Sequence, residues 1–383
     1  MIRFLDAGES HGKALIAIIE GLPAGLKIDL DFINRQLLLR QSGYGRGGRQ
    51  KIEKDKVEFL SGVRFGETIG SPVAILIKNR DFENWQNIME PFAEKNHNRR
   101  VNRPRPGHAD LSGYLKYDRD DIRDVLERSS ARETAIRTAV GSICELLLKE
   151  LDIRIISFVR SIGKVKTDIK PEVNDEFEKR VIDSLVFCPD KKAEDLMIAE
   201  IEEAKKEGDT LGGVVEVVAS GVVAGVGSYV QWDRRLDARL SFSLMSIQAV
   251  KAVEIGDGFE NAYKFGSQVH DEIVYDNGYR RLSNRAGGIE GGMSNGEDIV
   301  ARVYMKPIPT LKKGLKSVNV DTHKEDISAF ERSDVTAVPA LSVVARSVVA
   351  FELANAYIEK FGSDTIKELK ERVKAYKRYL LTK

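Results

Sequence analysis

Two distant stretches of the chain echo each other, and a chain that repeats its own order of elements is confined to few folds. Gly8-Glu9-Ser10-His11-Gly12 is followed by Leu15-Ile16-Ala17 and Pro23. Gly292-Met293-Ser294-Asn295-Gly296 is followed in the same way by Ile299-Val300-Ala301 and Pro307. Farther on, Glu127-Arg128-Ser129-Ser130 precedes a helical run in the first half, and Glu331-Arg332-Ser333-Asp334 precedes one in the second. The order of turn, strand and ERS helix is kept twice. We therefore expect an internal duplication within one large unit, residues 1–362, where 383 residues would otherwise suggest two domains. A chain built this way tends to place its site between the copies, where two helix N-termini present N–H groups to anions.

Local patterns fill in the elements. Ala14 to Ile19 and Val73 to Lys78 read as strands, Leu30 to Arg40 as a helix, and Val214 to Val223 as a long buried strand. The stretch Gly212 to Val230 is valine-rich and contains Glu216 and five glycines, so it reads as paired buried strands and not as a spanning helix. Ser130-Ala131-Arg132-Glu133 has capping-box spacing and opens a helix from Arg132 to Leu151. Pro339 opens another over Ala340 to Lys360, which Gly362 closes. Residues 363–383 form a charged amphipathic helix suited to packing or to an oligomer contact. The N-terminus carries acids early and has no apolar core of signal-peptide length. Two cysteines, Cys144 and Cys188, with no CxxC rule out a disulfide framework and argue against a zinc site. A cytoplasmic protein without a metal is expected.

The 60 lysines and arginines against 59 acids leave a charge of +1, so attraction to nucleic acid or anionic membrane is not built into the sum. The distribution is uneven. Asn34 to Lys51 contains no acid but holds Arg35, Arg40, Arg46 and Arg49, and Lys95 to Ala109 contains no acid but holds Arg99, Arg100, Arg103, Arg105, His97 and His108. Arginine dominates both, which suits planar, bidentate recognition of carboxylate or phosphate. The composition of Gly43 to Arg49 also fits an RGG-like polyanion- or RNA-binding protein, and that alternative stands beside an enzyme. Gly43-Tyr-Gly45-Arg-Gly-Gly48 matches GxGxxG but follows a helix where a dinucleotide fold needs a strand. Gly8-Glu-Ser10-His-Gly12 matches a hydrolase elbow built on Ser10, yet a β-branched run follows it where a helix is required.

The informative feature is the order in which several motifs occur. Gly8-Glu-Ser-His-Gly12, Arg40-Gln-Ser-Gly-Tyr-Gly-Arg46-Gly-Gly-Arg49, Arg105-Pro-Gly-His108-Ala-Asp110, Glu127-Arg-Ser-Ser-Ala-Arg-Glu-Thr134, Gly291-Gly-Met-Ser-Asn-Gly296, Lys306-Pro-Ile-Pro-Thr310 and Arg332-Ser-Asp334 follow one another. Together, from about residue 1 to 360, they resemble the chorismate synthase family. The resemblance implies an α+β fold with helices sandwiched between antiparallel β-sheets. It implies a carbon–oxygen lyase that eliminates phosphate 1,4 from 5-enolpyruvylshikimate 3-phosphate to give chorismate, using reduced FMN with no net redox change. It further implies a homotetramer of the monofunctional type, which takes flavin reduced by an external reductant and has no nucleic-acid or membrane partner.

By the same resemblance, His11 helps protonate the flavin, His108 protonates the departing phosphate, and Asp334 assists removal of the C6 proton. Arg40, Arg46, Arg49, Arg105 and Arg132 match positions that surround the substrate; Arg40 and Arg46 also match NADP contacts, and are read as substrate-facing first. The FMN positions are Arg128, Ser129, Ser130, Gln248, Ala249, Gly291, Lys306, Pro307, Ile308, Pro309, Thr310 and Arg332. The substrate is a dense polyanion, and several charge-assisted hydrogen bonds of ~1.5–3 kcal/mol each can offset its desolvation. Glu90 to Asn102, polar and irregular, reads as a mobile lid that excludes water.

Overall fold

Alternation along the strands decides the first sheet of the computed structural model, which describes all residues except 48–51, 93, 96, 277, 332, 333 and 363. Strand β2 (Ala14–Glu20) turns Leu15, Ala17 and Ile19 inward and Ile16 and Ile18 outward. It lies between β1 (Arg3–Ala7) and β4 (Val73–Lys78), with β3 (Val57–Phe59) at the far edge, and every pairing is antiparallel.

The second sheet contains β5 (Arg154–Ile162), β6 (Val165–Lys166), β7 (Gly213–Ser220), β8 (Val250–Ile255) and β9 (Ile299–Met305) in the order β8-β9-β7-β5-β6, again antiparallel throughout. Strands β5 and β7 are buried along most of their length instead of alternating, as expected of strands covered on both faces, whereas β9 alternates. Strands β2 and β9 are each seven residues long, follow a glycine turn, and lie inside their sheets.

The longer helices are, in order, α1 (Leu30–Gln41), α2 (Asp110–Tyr117), α3 (Arg123–Ser129), α4 (Thr134–Lys149), α5 (Asp175–Asp183), α6 (Lys191–Lys206), α7 (Leu236–Met245), α8 (Val338–Phe361) and α9 (Ile366–Leu380). Three of them, α1, α4 and α8, fill the space between the sheets, with α4 against β2 and α8 against β5 and β7. One hydrophobic core joins both sheets to these helices. The α4–α8 crossing is close because Gly141 has no side chain: a Cβ there would stand 2.2 Å from the Ser347 carbonyl oxygen. By length and composition α8 could cross a membrane, and 94% of its most apolar window is buried at the centre of this fold. Helix α9 lays Leu369 and Val373 on the body, and its Tyr376 hydroxyl donates to the Ala224 carbonyl (3.1 Å).

Two local expectations need correction. Residues 212–230 supply one strand, not a pair, because Gly221 adopts φ +85° and ends β7 at Ser220. The capping box at Ser130 does not close. Its hydroxyl accepts from the Arg132 N–H, a 3-10 turn fills Ala131–Glu133, and α4 begins at Thr134. Glu133 turns away to accept from Gln248 (2.9 Å). The first ERS segment is itself the last turn of α3, and it leads into α4 across that 3-10 turn.

Candidate active site

The Gly8–Gly12 turn, the end of α3, the first turns of α8 and the loop after β9 meet around a cleft of about 1170 Å³. Among the described residues it is lined by nine basic side chains and four carboxylates, so its interior is cationic on an otherwise neutral chain.

His11 projects from the first glycine turn. Its Nδ1 lies 2.8 Å from Glu127 Oε1, and its backbone N–H donates to Glu127 Oε2 (2.8 Å). On its face the imidazole stacks against Trp85, with centroids 3.9 Å apart at 25°. Burial pushes the Glu127 carboxyl up, but the bonds from His11 and the nearby Arg123 outweigh it and hold the group below its ordinary range. His108 repeats the pattern. Its Nδ1 lies 2.5 Å from Asp110 Oδ1, and Asp110 is fully buried in the first turn of α2. Burial again pushes that carboxyl up, while bonds from His108 and Arg105 carry it well below the usual carboxylate range.

The acid-free arginine blocks do not stay acid-free in space. Arg132 Nη1 pairs with Asp55 (2.7 Å) and its Nε donates to Asn79 (2.9 Å). Arg40 donates to Thr134 Oγ1 and to the Ala131 carbonyl, both at 2.9 Å. Burial pushes Arg40 down to about 9, Asp55 pulls the other way, and Arg132 and Arg46 add to the fall; the guanidinium still stays charged at neutral pH. Arg46 Nη1 pairs with Asp334 Oδ2 (2.7 Å), and Arg105 with Asp110 (2.8 Å). Even so, Arg46 Nε and Arg132 Nη2 are buried without a hydrogen-bond partner. These donors suit an anion. Arg46, the described arginine of the Gly43–Arg49 stretch, has a side chain 9% exposed and belongs to the cleft wall, not to a tail of RGG type.

On the opposite wall, Gln248 donates its amide to Glu133, which leaves Oε1 buried without a partner as an acceptor for a ring N–H. Lys306 and Thr310 stand nearby. Burial, then Lys251, pushes the Lys306 ammonium down, and Thr310 Oγ1 accepts from Arg105 Nη1 (2.9 Å).

The cleft brings together His11, His108, Asp334, Arg40, Arg46, Arg105, Arg132, Ser129, Ser130, Gln248, Ala249, Lys306, Ile308, Pro309 and Thr310. Arg128, Gly291 and Pro307 fall outside its lining; Arg128 bonds instead to the Gly8 carbonyl (3.2 Å) and Asp6 (3.1 Å). Arg49 and Arg332 lie outside the described residues. Sequence reasoning missed Trp85, Arg123, Glu127 and Asp110 as members of the site. The last two already stood inside quoted motifs, Glu127 one residue before Arg128 and Asp110 two after His108. Trp85 carried no motif.

Known proteins resemble the chain from end to end. The family model described as chorismate synthase matches residues 2–358. The chorismate synthase of Desulforamulus reducens is 55% identical over 384 residues, covering 99% of each chain. That of Enterococcus faecalis is 54% identical, with 99% of each chain covered. A solved structure titled as a crystal structure of chorismate synthase has a TM-score of 0.81 at 43% identity and covers 100% of this chain and 99% of its own. With the family's model and its relatives matched over nearly the whole length, the chain belongs to the chorismate synthase family and is a lyase of that kind.

Proposed function

We propose that the cleft binds 5-enolpyruvylshikimate 3-phosphate beside reduced FMN and eliminates phosphate 1,4 to give chorismate. One observation carries the reading: two imidazoles, each anchored to a buried carboxylate, face a single arginine-lined cleft. Arg40, Arg46, Arg105 and Arg132, together with Arg49, would hold the two carboxylates and the phosphate. A preorganised cationic wall also stabilises the charge that develops on phosphate as it leaves. His108 would deliver a proton to that phosphate, His11 would hold one beside the cofactor, and Asp334 would assist removal of the C6 proton.

The residues present fit a flavin. The free Gln248 oxygen suits an N–H of the heterocycle, Ser129 and Ser130 add hydroxyls, and Lys306 with Thr310 suits the phosphate end. When bound, reduced FMN supplies a reversible electron donor, which a reaction without net redox change leaves as it began. Residues 90–102 would close over the cleft as the water-excluding lid.

The remaining expectations belong to the same reading. Residues 1–362 form one unit with an internal duplication, and 363–383 are an appended helix. The protein is a cytoplasmic homotetramer supplied by an external flavin reductant, and Arg40 and Arg46 face substrate ahead of any NADP.

The test is anaerobic incubation with reduced FMN and enolpyruvylshikimate phosphate, followed by chorismate absorbance. Absence of chorismate together with tight oligonucleotide binding would overturn the enzyme reading. His11→Ala and His108→Ala are each expected to slow turnover by ~10²–10⁴-fold. A variant that turns over at the native rate would remove its histidine from the chemistry.

A further inference from the structure

We infer that Glu127 and Asp110 are paired positioning residues that fix which nitrogen of His11 and of His108 exchanges protons with the cleft. The inference rests on the proposed roles of the two histidines and deepens them. An ionised carboxylate accepts hydrogen bonds and cannot donate them. A ring nitrogen bonded to one must therefore carry a hydrogen, whether the imidazole is neutral or charged. At His11 that nitrogen is Nδ1, 2.8 Å from Glu127 Oε1, and the backbone N–H of the same residue takes the other oxygen. At His108 it is again Nδ1, 2.5 Å from Asp110 Oδ1. Arg105 Nη2 also lies 3.1 Å from this nitrogen and 3.4 Å from Nε2, but a guanidinium cannot accept a proton, so it donates to Asp110 Oδ1 (3.0 Å) and stands beside the ring. In both residues the exchangeable position is left at Nε2.

Both carboxylates are held in turn. Glu127 has Arg123 Nη1 at 3.5 Å, and Arg123 also bonds the Arg99 carbonyl and Glu331 (2.8 Å). Asp110 accepts from Arg105 through its backbone N–H (3.0 Å) and its Nε (2.8 Å). At His11 a third restraint acts on the ring plane, since Trp85 covers one face of the imidazole. The carboxylates are 3% and 0% exposed, so water does not compete for the histidine N–H. Neither carboxylate lines the cleft, which places them behind the histidines and makes them positioning groups, not catalytic ones.

The deciding measurement is nitrogen NMR on the full-length protein labelled at its five histidines, with His11→Asn and His108→Asn used to assign the two resonance pairs. Both active-site rings are expected to show a protonated Nδ1 at every pH where the protein is folded, with only Nε2 changing. A bare Nδ1 on either ring in the native protein overturns the inference for that residue, and this readout needs neither cofactor nor turnover. Glu127→Gln is expected to admit the bare-Nδ1 form of His11 and to lower kcat by at least ~10-fold, up to the ~10²–10⁴-fold attributed to the acid itself. KM for the shikimate substrate should stay within about 3-fold, because the arginines that hold it are untouched. A merely structural role would move KM and thermal stability together and leave the tautomer alone. Slow histidine variants beside a Glu127→Gln protein with native kcat and tautomer would overturn the positioning role alone. Histidine variants with native turnover would overturn the acid roles and leave the tautomer assignment to stand or fall by NMR.

Discussion

At the scale of single residues, the site is a set of charges that satisfy one another before any ligand arrives. Asp110 illustrates this: a fully buried carboxylate stays ionised only because His108 and Arg105 bond it. Its folded pKa lies below the unfolded value of about 4, so it contributes stability that is present above that pH and lost as pH falls through the folded value. Thermal denaturation between pH 6 and pH 3 should show native stability falling below about pH 4, with a shallower fall in Asp110→Asn. Equal slopes would mean that the bonded carboxylate is not a source of the pH dependence. Arginine and histidine positions were legible in the sequence because the motifs named them. Their partners were not, since Glu53, Asp55 and Glu127 reach the arginines and His11 only through folding.

Among the elements, alternation and caps were read well where one local cause governs. Strand β4 has the bounds that its apolar run predicts, and α8 carries Pro339 in its first turn and ends at Gly362. Reading failed where two causes compete. The valine-rich run at 212–230 has the composition of two strands, but a left-handed glycine ends it after one. Ser130 and Glu133 have capping-box spacing, but Gln248, distant in sequence, takes the glutamate. Helix contacts give an equally local prediction. Gly141→Val would drive a side chain into the Ser347 backbone at the α4–α8 crossing, and overpacking of this kind costs ~1–3 kcal/mol or more. A clearly lowered midpoint in denaturant with an unchanged slope is expected; a native midpoint would show that the crossing can widen freely.

For the whole molecule, the balance of +1 conceals a cleft lined, among the described residues, by nine basic and four acidic side chains. Such a wall attracts a polyanion over several ångströms and is screened by salt. Under saturating reduced FMN, KM for the enolpyruvyl substrate should rise steadily with sodium chloride while kcat changes little, and a salt-independent KM would remove long-range attraction from the account. The sequence by itself determined the family, the histidines, the arginine loops, strands β2, β4 and β7 and helices α1, α4, α8 and α9, because each depends on residues adjacent along the chain or at a helical or strand period. Only the tertiary structure decided that the arginines meet carboxylates, that Trp85 covers His11, and that α8, apolar enough for a bilayer, is the central core helix. Ion pairing, ring stacking and burial are set by distance in space, and adjacency along a chain does not encode that distance.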